Sequence, residues 1–177
     1  MLKKILVLLL LTTSMASSQE WIQDNNKTSV LFQIKNFGLT VAGGFKTTHI
    51  KTNINTKDLS NSYINGTIIV NSIFTGIEAR DKHLLETDYF DAVKHTKIRL
   101  ESSKIKENTD GDLILFAELS IKGIKKKIEI PISVAEKNSM LTLSASMILN
   151  RKDFNLGGRS FVLSNNVKIQ VEYSAKK

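Results

Sequence analysis

Arg80, Asp81 and His83 set a permanent cation, a hydrogen-bond acceptor and a titratable imidazole within one helical turn of each other. Glu78 precedes them, and two aromatic residues, Tyr89 and Phe90, follow. Such a group has three chemical uses. His83 as a general base needs Asp81 or Glu78 to orient it, and it needs a nucleophile or a second matched carboxylate to act on. The sequence offers no serine or cysteine in a recognisable elbow and no glycine-rich phosphate cradle before a helix. A metal site from Glu78, Asp81, His83 and His95 lacks the spacing of a two-histidine helix motif or of a closed four-ligand set. The reading is therefore a protein that is not an enzyme and carries neither metal nor cofactor. Recognition remains: Arg80 can hold a polar or anionic group bidentately, His83 more weakly, with Arg151 or Arg159 added from a late loop. The plain alternative is a short helix whose charges are solvated and whose Arg80 and Asp81 fix its docking angle.

These side chains need a helix, and the run Ser72–Asp91 is the one stretch patterned as such. Thr75 and Glu78 have the spacing of a capping box, and Ile77, Arg80 and Leu84 fall on one face. Elsewhere the apolar residues alternate. Val30, Phe32 and Ile34 share a parity; the stretch 36–44 reads as a turn through Gly38, Gly43 and Gly44, and Phe45 opens a less regular strand to about Ile54. Tyr63–Ile73 is apolar on both faces, so both are covered, one of them by the helix. Beyond Asp91 come a strand around Ile98 and Leu100, an Asp110-Gly111 hairpin signal, and a strand with Leu113, Leu115, Ala117, Leu119 and Ile121 on one face. Ile128, Ile130, Ile132 and Val134 follow, with Pro131 on the other parity predicting a bulge or an open edge. Leu141, Leu143, Ala145, Met147 and Leu149 form the next face, 151–166 is an irregular loop, and Val167, Ile169, Val171 and Tyr173 close the chain. Roughly eight antiparallel strands fit a sandwich or a barrel.

The chain has 177 residues and a formal charge of +8, two units of which come from Lys3 and Lys4. Those lysines, the apolar run Ile5–Leu11 and the small residues from Ser14 to Ser18 read as a secretory signal over residues 1–18. Residues 19–177 then form one domain, periplasmic or secreted. Cysteine is absent, which removes disulfides, thiol catalysis and cysteine-ligated metals. The basic balance favours anionic partners, and the aromatic residues lack the spacing of a stacking platform, so nucleic acid is not expected as a partner. Lys122, Lys125, Lys126 and Lys127 bracket a tight turn that would suit an anionic membrane; a solvated hairpin tip is the ordinary reading. An outer apolar patch at Ile69, Ile114 and Phe116 is compatible with a homodimer, or with a solid barrel acting as a structural or interaction protein.

Several motifs together resemble the YceI-like, polyisoprenoid-binding family. They are Ser72-Ile73-x-Thr75-Gly76, Arg80-Asp81-x-His83-Leu84, Tyr89-Phe90-Asp91, Ser29-Val30-x-Phe32, Leu119-x-Ile121-Lys122-Gly123 and Arg151-x-Asp153-Phe154-x-Leu156. Departures include Thr28-Ser29 in place of His-Ser, His95-Thr96 in place of Tyr-Pro, and Asn155 in place of Gly. The resemblance implies an all-β, eight-stranded antiparallel lipocalin-like barrel, with one short helix crossing after the third strand. It also implies an apolar interior that takes an isoprenoid lipid, either a polyprenyl phosphate or a quinone-like molecule. Wall candidates are Phe32, Phe45, Leu115, Ala117, Leu143, Ala145, Met147 and Phe154, with ordinary core packing as the alternative for each.

Overall fold

The computed structural model describes residues 21–56 and 58–177. The signal-like segment lies outside the described residues. The strands are β1 (Ile22–Gln23), β2 (Ser29–Asn36), β3 (Leu39–Phe45), β4 (Thr48–Asn53), β5 (Tyr63–Ile69), β6 (Ile73–Phe74), β7 (Lys97–Glu107), β8 (Leu113–Ile121), β9 (Ile124–Lys137), β10 (Met140–Asn150) and β11 (Leu163–Lys176). One helix, α1, covers Glu78–Leu84, and short 3-10 turns cover Val70–Ser72 and Arg151–Phe154. The sheet runs in the order β4-β5-β7-β8-β9-β10-β11-β2-β3-β6, with β1 added alongside β11. It is antiparallel and curled, a lipocalin-like fold.

Among the described residues the strands number eleven rather than eight. The difference lies mainly in the stretch read as a turn, where β3 occupies most of it. Gly43 and Gly44 are strand glycines that permit close approach. A Cβ on Gly43 would stand 2.5 Å from the Phe32 ring and from the Phe74 carbonyl oxygen, so only glycine lets β6 cross here. The helix is also shorter than the pattern suggested, and its N-cap is Ile77, with no side-chain capping bond. Thr75 is occupied elsewhere, because its hydroxyl bonds Arg80 and Asp81.

Pro131 marks the decisive irregularity. It keeps register opposite Ile114 on β8, but the β9–β10 ladder begins only at Ile132, opposite Ala145. Above that point β9 has no partner on its β10 side, and β10 continues from Ser146 to Asn150 against β11 alone. A residue with no N–H therefore stands at the open edge that was expected of it. The strands part there, and Phe154, 2% exposed, fills the space with Leu119 and Ile121, flanked by Leu149 and Ile128. The base of the sheet holds a second and denser core, containing Leu141, Tyr173, Ala175, Ile130 and Ile105.

The two ends of the sheet path, β4 and β6, leave a seam. Gln23 closes it with one side chain: its amide donates to the Thr48 carbonyl at 2.7 Å and accepts from the Ile50 N–H at 2.7 Å. A side-chain amide thus stands in for a missing ladder rung between β1 and β4. Gln23→Ala strands two partly buried backbone groups. The expected loss is about 2 kcal/mol, a fall in Tm of roughly 5 °C by thermal melting, and an unchanged Tm would show that the seam does not depend on Gln23.

Candidate functional site: an apolar chamber with a polar mouth

Because the strands part above Ile132, the interior is not filled. A cavity of about 500 Å³ runs up the axis, within the range of small-molecule sites. The walls follow the inward parity of each strand: Phe32 and Ile34 on β2, Ala145 and Met147 on β10, Ile169 and Val171 on β11. Its floor can be read from where that parity stops lining it. Leu143 and Val171 face the cavity, whereas the next inward residues, Leu141 and Tyr173, are 1% and 2% exposed within the lower core. Tyr173 pairs directly with Leu143 across the β10–β11 ladder. Its ring closes the bottom.

Of the expected wall residues, Phe32, Phe45, Leu115, Leu143, Ala145, Met147 and Phe154 all line this space. Ala117 does not; it is sealed into the lower core between its neighbours. Its side chain is too short to reach past Leu115 and Leu119, which flank it on the same strand and do reach the cavity. Phe45 links wall to roof: its ring lies 6.0 Å from Phe32 on one side and 6.0 Å, edge-on, from Phe90 on the other.

The roof is α1, which turns Arg80, His83 and Leu84 toward the cavity, while Glu78 and Lys82 pair in solvent at 2.8 Å. The i, i+3, i+4 spacing places the three on one face. Arg80 is held from behind. Its Nε donates to the Thr75 hydroxyl and its Nη2 to the Thr75 carbonyl, both at 2.8 Å, and the same hydroxyl donates to Asp81. Among the described residues nothing engages its Nη1, so a positioned cation keeps donors free at the mouth. Asp81 balances that charge through one shared hydroxyl. His83 is half in solvent, its Nδ1 2.9 Å from Glu86 and its ring edge-on to Tyr89 at 5.0 Å.

Arg151 also lines the cavity, held within the late loop. It is 3% exposed, and its guanidinium donates to the carbonyls of Leu156, Gly157, Gly158, Leu163 and Ser164. Burial pulls its pKa below the ordinary arginine value, though an arginine remains charged at neutral pH. It gathers the late loop around the mouth, and its donors are committed to that loop rather than offered to a head group. Gly157 lies where that loop meets Tyr89. Its φ is +59°, and a Cβ there would sit 2.5 Å from the Tyr89 ring. Arg159 is exposed on the loop and does not line the cavity. Two of the four lysines of the turn are likewise engaged: Lys122 donates to the Thr87 and Asn155 carbonyls, and Lys125 pairs with Glu118 at 2.7 Å. On the outer wall, Lys104 stands 4.4 Å above the Phe116 ring and partly covers the expected apolar patch.

Sequence reasoning did not single out several mouth residues, Phe37, Ser160 and Val162 among them. Only their place beside turns marked them, and turn residues are ordinarily read as connections.

A curled antiparallel sheet around an apolar chamber, roofed by a short helix, is the architecture of a binding protein. The chain belongs to the YceI-like family, whose domain model matches residues 21–175. It is 32% identical over 120 residues to a UPF0312 protein of Staphylococcus aureus, covering 66% of this chain and 67% of that one. A Vibrio parahaemolyticus UPF0312 protein is 26% identical over 103 residues, covering 58% of this chain and 54% of that protein, so the match spans about half of the Vibrio relative. Among solved structures, Burkholderia cenocepacia BcnA superposes with a TM-score of 0.82 at 22% identity, covering 87% of this chain and 99% of that chain. A polyisoprenoid binding domain from Saccharophagus degradans, implicated in plant cell wall breakdown, gives 0.68 at 14% identity, covering 89% and 98%.

The floor carries its own test. The Tyr173 hydroxyl has no hydrogen-bond partner among the described residues, and burial pushes its pKa above the ordinary 10.0. An unpartnered buried hydroxyl is a cost that Tyr173→Phe removes while keeping the ring, with an expected gain of about 1 kcal/mol in urea unfolding. Because the folded-state pKa is the raised one, the unfolded chain ionises first. Stability therefore falls as pH climbs past about 10. The substitution should remove that component of the alkaline loss, and an unchanged alkaline profile would mean that the phenol is not buried as described.

Proposed function

We propose that the chain is a non-catalytic carrier of an isoprenoid lipid, working in the periplasm or outside the cell. The tail lies in the chamber and the head group, a phosphate or a quinone-like ring, sits at the mouth beside Arg80 and His83. The observation that carries this reading is the pairing of an almost wholly apolar chamber with one positioned guanidinium at its rim. A prenyl tail needs only apolar walls, and each deeply buried branched unit gains on the order of 2 kcal/mol. Family membership and the polyisoprenoid-binding neighbour support the same ligand class. An open chamber also favours a carrier over a solid barrel that serves as a structural protein.

The closed floor sets a tail length. At an interior packing density of about 0.74, the cavity of 500 Å³ holds roughly four five-carbon units. Longer tails bind by the same four and trail out of the mouth. In native mass spectrometry with quinones of increasing tail length, retention should rise at least tenfold per added unit at first and level off near the fourth. A continued rise beyond six would show that the floor yields. Ala145→Trp, which fills the wall, should cut retention at least tenfold while circular dichroism keeps its sheet signature. Undiminished uptake would move the ligand away from β10, and failure of every tail to bind would dispose of the carrier reading itself.

A further inference from the structure

The turn between β2 and β3 is built against the preferences of its own backbone. Phe37 has φ of +50° and Gly38 of +77°, so both central residues of this two-residue hairpin lie in the left-handed region. Asn, Asp or Gly ordinarily fills the first of those positions, because a bulky side chain there is strained. Nor does burial compensate, since Phe37 is 74% exposed. The fold gains nothing from a phenylalanine at this site.

Its neighbours share the anomaly. Leu39 is 73% exposed, Phe161 109% and Val162 39%, and the Phe37 N–H donates to the Val162 carbonyl at 3.0 Å, joining hairpin and late loop into one rim. Phe37 and Val162 also line the mouth of the chamber, so the exposed apolar surface continues into its interior. The charges flanking this rim have one sign. Lys35 and Arg159 are exposed beside it, and no Asp or Glu occurs between Ser29 and Lys51 or between Phe154 and Val171. Lys152, on the same loop, has its pKa lowered first by burial and then by the repulsion of Arg151 and Arg159. Of the acids on α1 and just beyond it, Glu78 and Glu86 are already paired with Lys82 and His83, and Asp81 is bonded by the Thr75 hydroxyl.

We propose that this rim docks the chamber mouth onto an anionic lipid surface, with Phe37, Leu39 and Phe161 inserted among the head groups and Lys35 and Arg159 at their phosphates. Large apolar side chains flanked by cations are the composition of an interfacial anchor. Docking mouth-down lets a tail pass between bilayer and chamber without crossing water; that consequence rests on the carrier reading, whereas the docking does not. A second copy of this chain is the competing occupant, and the basic charge argues against pairing two such rims.

The test uses protein spanning residues 19–177, which contains every described element. In co-sedimentation with phosphatidylcholine vesicles, adding phosphatidylglycerol should raise the bound fraction at least tenfold, and salt should reverse the gain. Phe37→Asn should reduce vesicle binding at least fivefold while its Tm equals or exceeds that of the wild type, since asparagine suits the turn. Leu39→Ser combined with Phe161→Ser, neither of which lines the chamber, should abolish vesicle binding yet retain a preloaded quinone in native mass spectrometry. Wild-type protein that ignores anionic vesicles, or variants that bind them undiminished, would overturn the docking. A change of oligomeric state on substitution without any vesicle binding would assign the rim to a second copy. Loss of the quinone with vesicle binding intact would strike the carrier reading and leave the docking in place.

Discussion

The chamber depends on one interruption in a hydrogen-bond ladder. An antiparallel barrel of about this size stands at the margin where inward side chains either fill the interior or leave room for one small molecule, so a local divergence of its wall counts. Pairing of β9 with β10 ends at Ile132 and Ala145, one residue beyond a proline that has no N–H to offer. Above that point the wall diverges, and the side chains of the neighbouring strands β10, β11 and β2 face those of β5, β7 and β8 across open space. The turn at Arg151–Phe154 then wedges the divergence, with Phe154 buried between the separated strands.

A wedge of irregular backbone brings its own difficulty, because buried carbonyls must find donors. Arg151 supplies them. A single guanidinium receives the carbonyls of residues spread from Leu156 to Ser164, so a loop with little regular hydrogen bonding of its own is held as one body. The cation is solvated by peptide dipoles instead of a carboxylate, which fixes the loop without placing a competing anion near the mouth. Thr75 has a comparable part on the other side of the opening, where it restrains Arg80 through its hydroxyl and its carbonyl together. Arg80 is thus positioned by the fold itself.

How much of this was legible in the sequence varied with the kind of signal. The inward faces of β2, β8, β10 and β11 were plain, since a period of two is preserved wherever one face is buried, and those faces form the walls. Pro131 also announced its open edge, because a missing donor acts locally. The strand β3 was hidden: Gly43 and Gly44 look like turn punctuation, and only the approach of Phe74 and Thr75 across them shows why a strand must lack side chains there. Arg151 was legible as a charged loop residue and so looked available to a ligand, whereas its carbonyl partners lie up to thirteen residues away and leave no periodic trace. Ala117 failed for a simpler reason. Parity tells which face a residue joins, but not whether a one-carbon side chain reaches past its neighbours.

The distribution of order along the barrel axis has a dynamic consequence. Below the floor, Leu141, Tyr173 and Ala175 are among the most completely buried residues, at 1%, 2% and 0% exposure, in strands paired on both sides. Above it, the lip is made of one seven-residue helix, a strained hairpin and a loop held chiefly by a single side chain. Segments with so few shared contacts open at a small fraction of the global unfolding free energy. The molecule is therefore graded: a lower half that unfolds only with the whole, and an upper half that breathes. Fluctuations confined to the lip open the chamber, while the floor keeps its shape throughout.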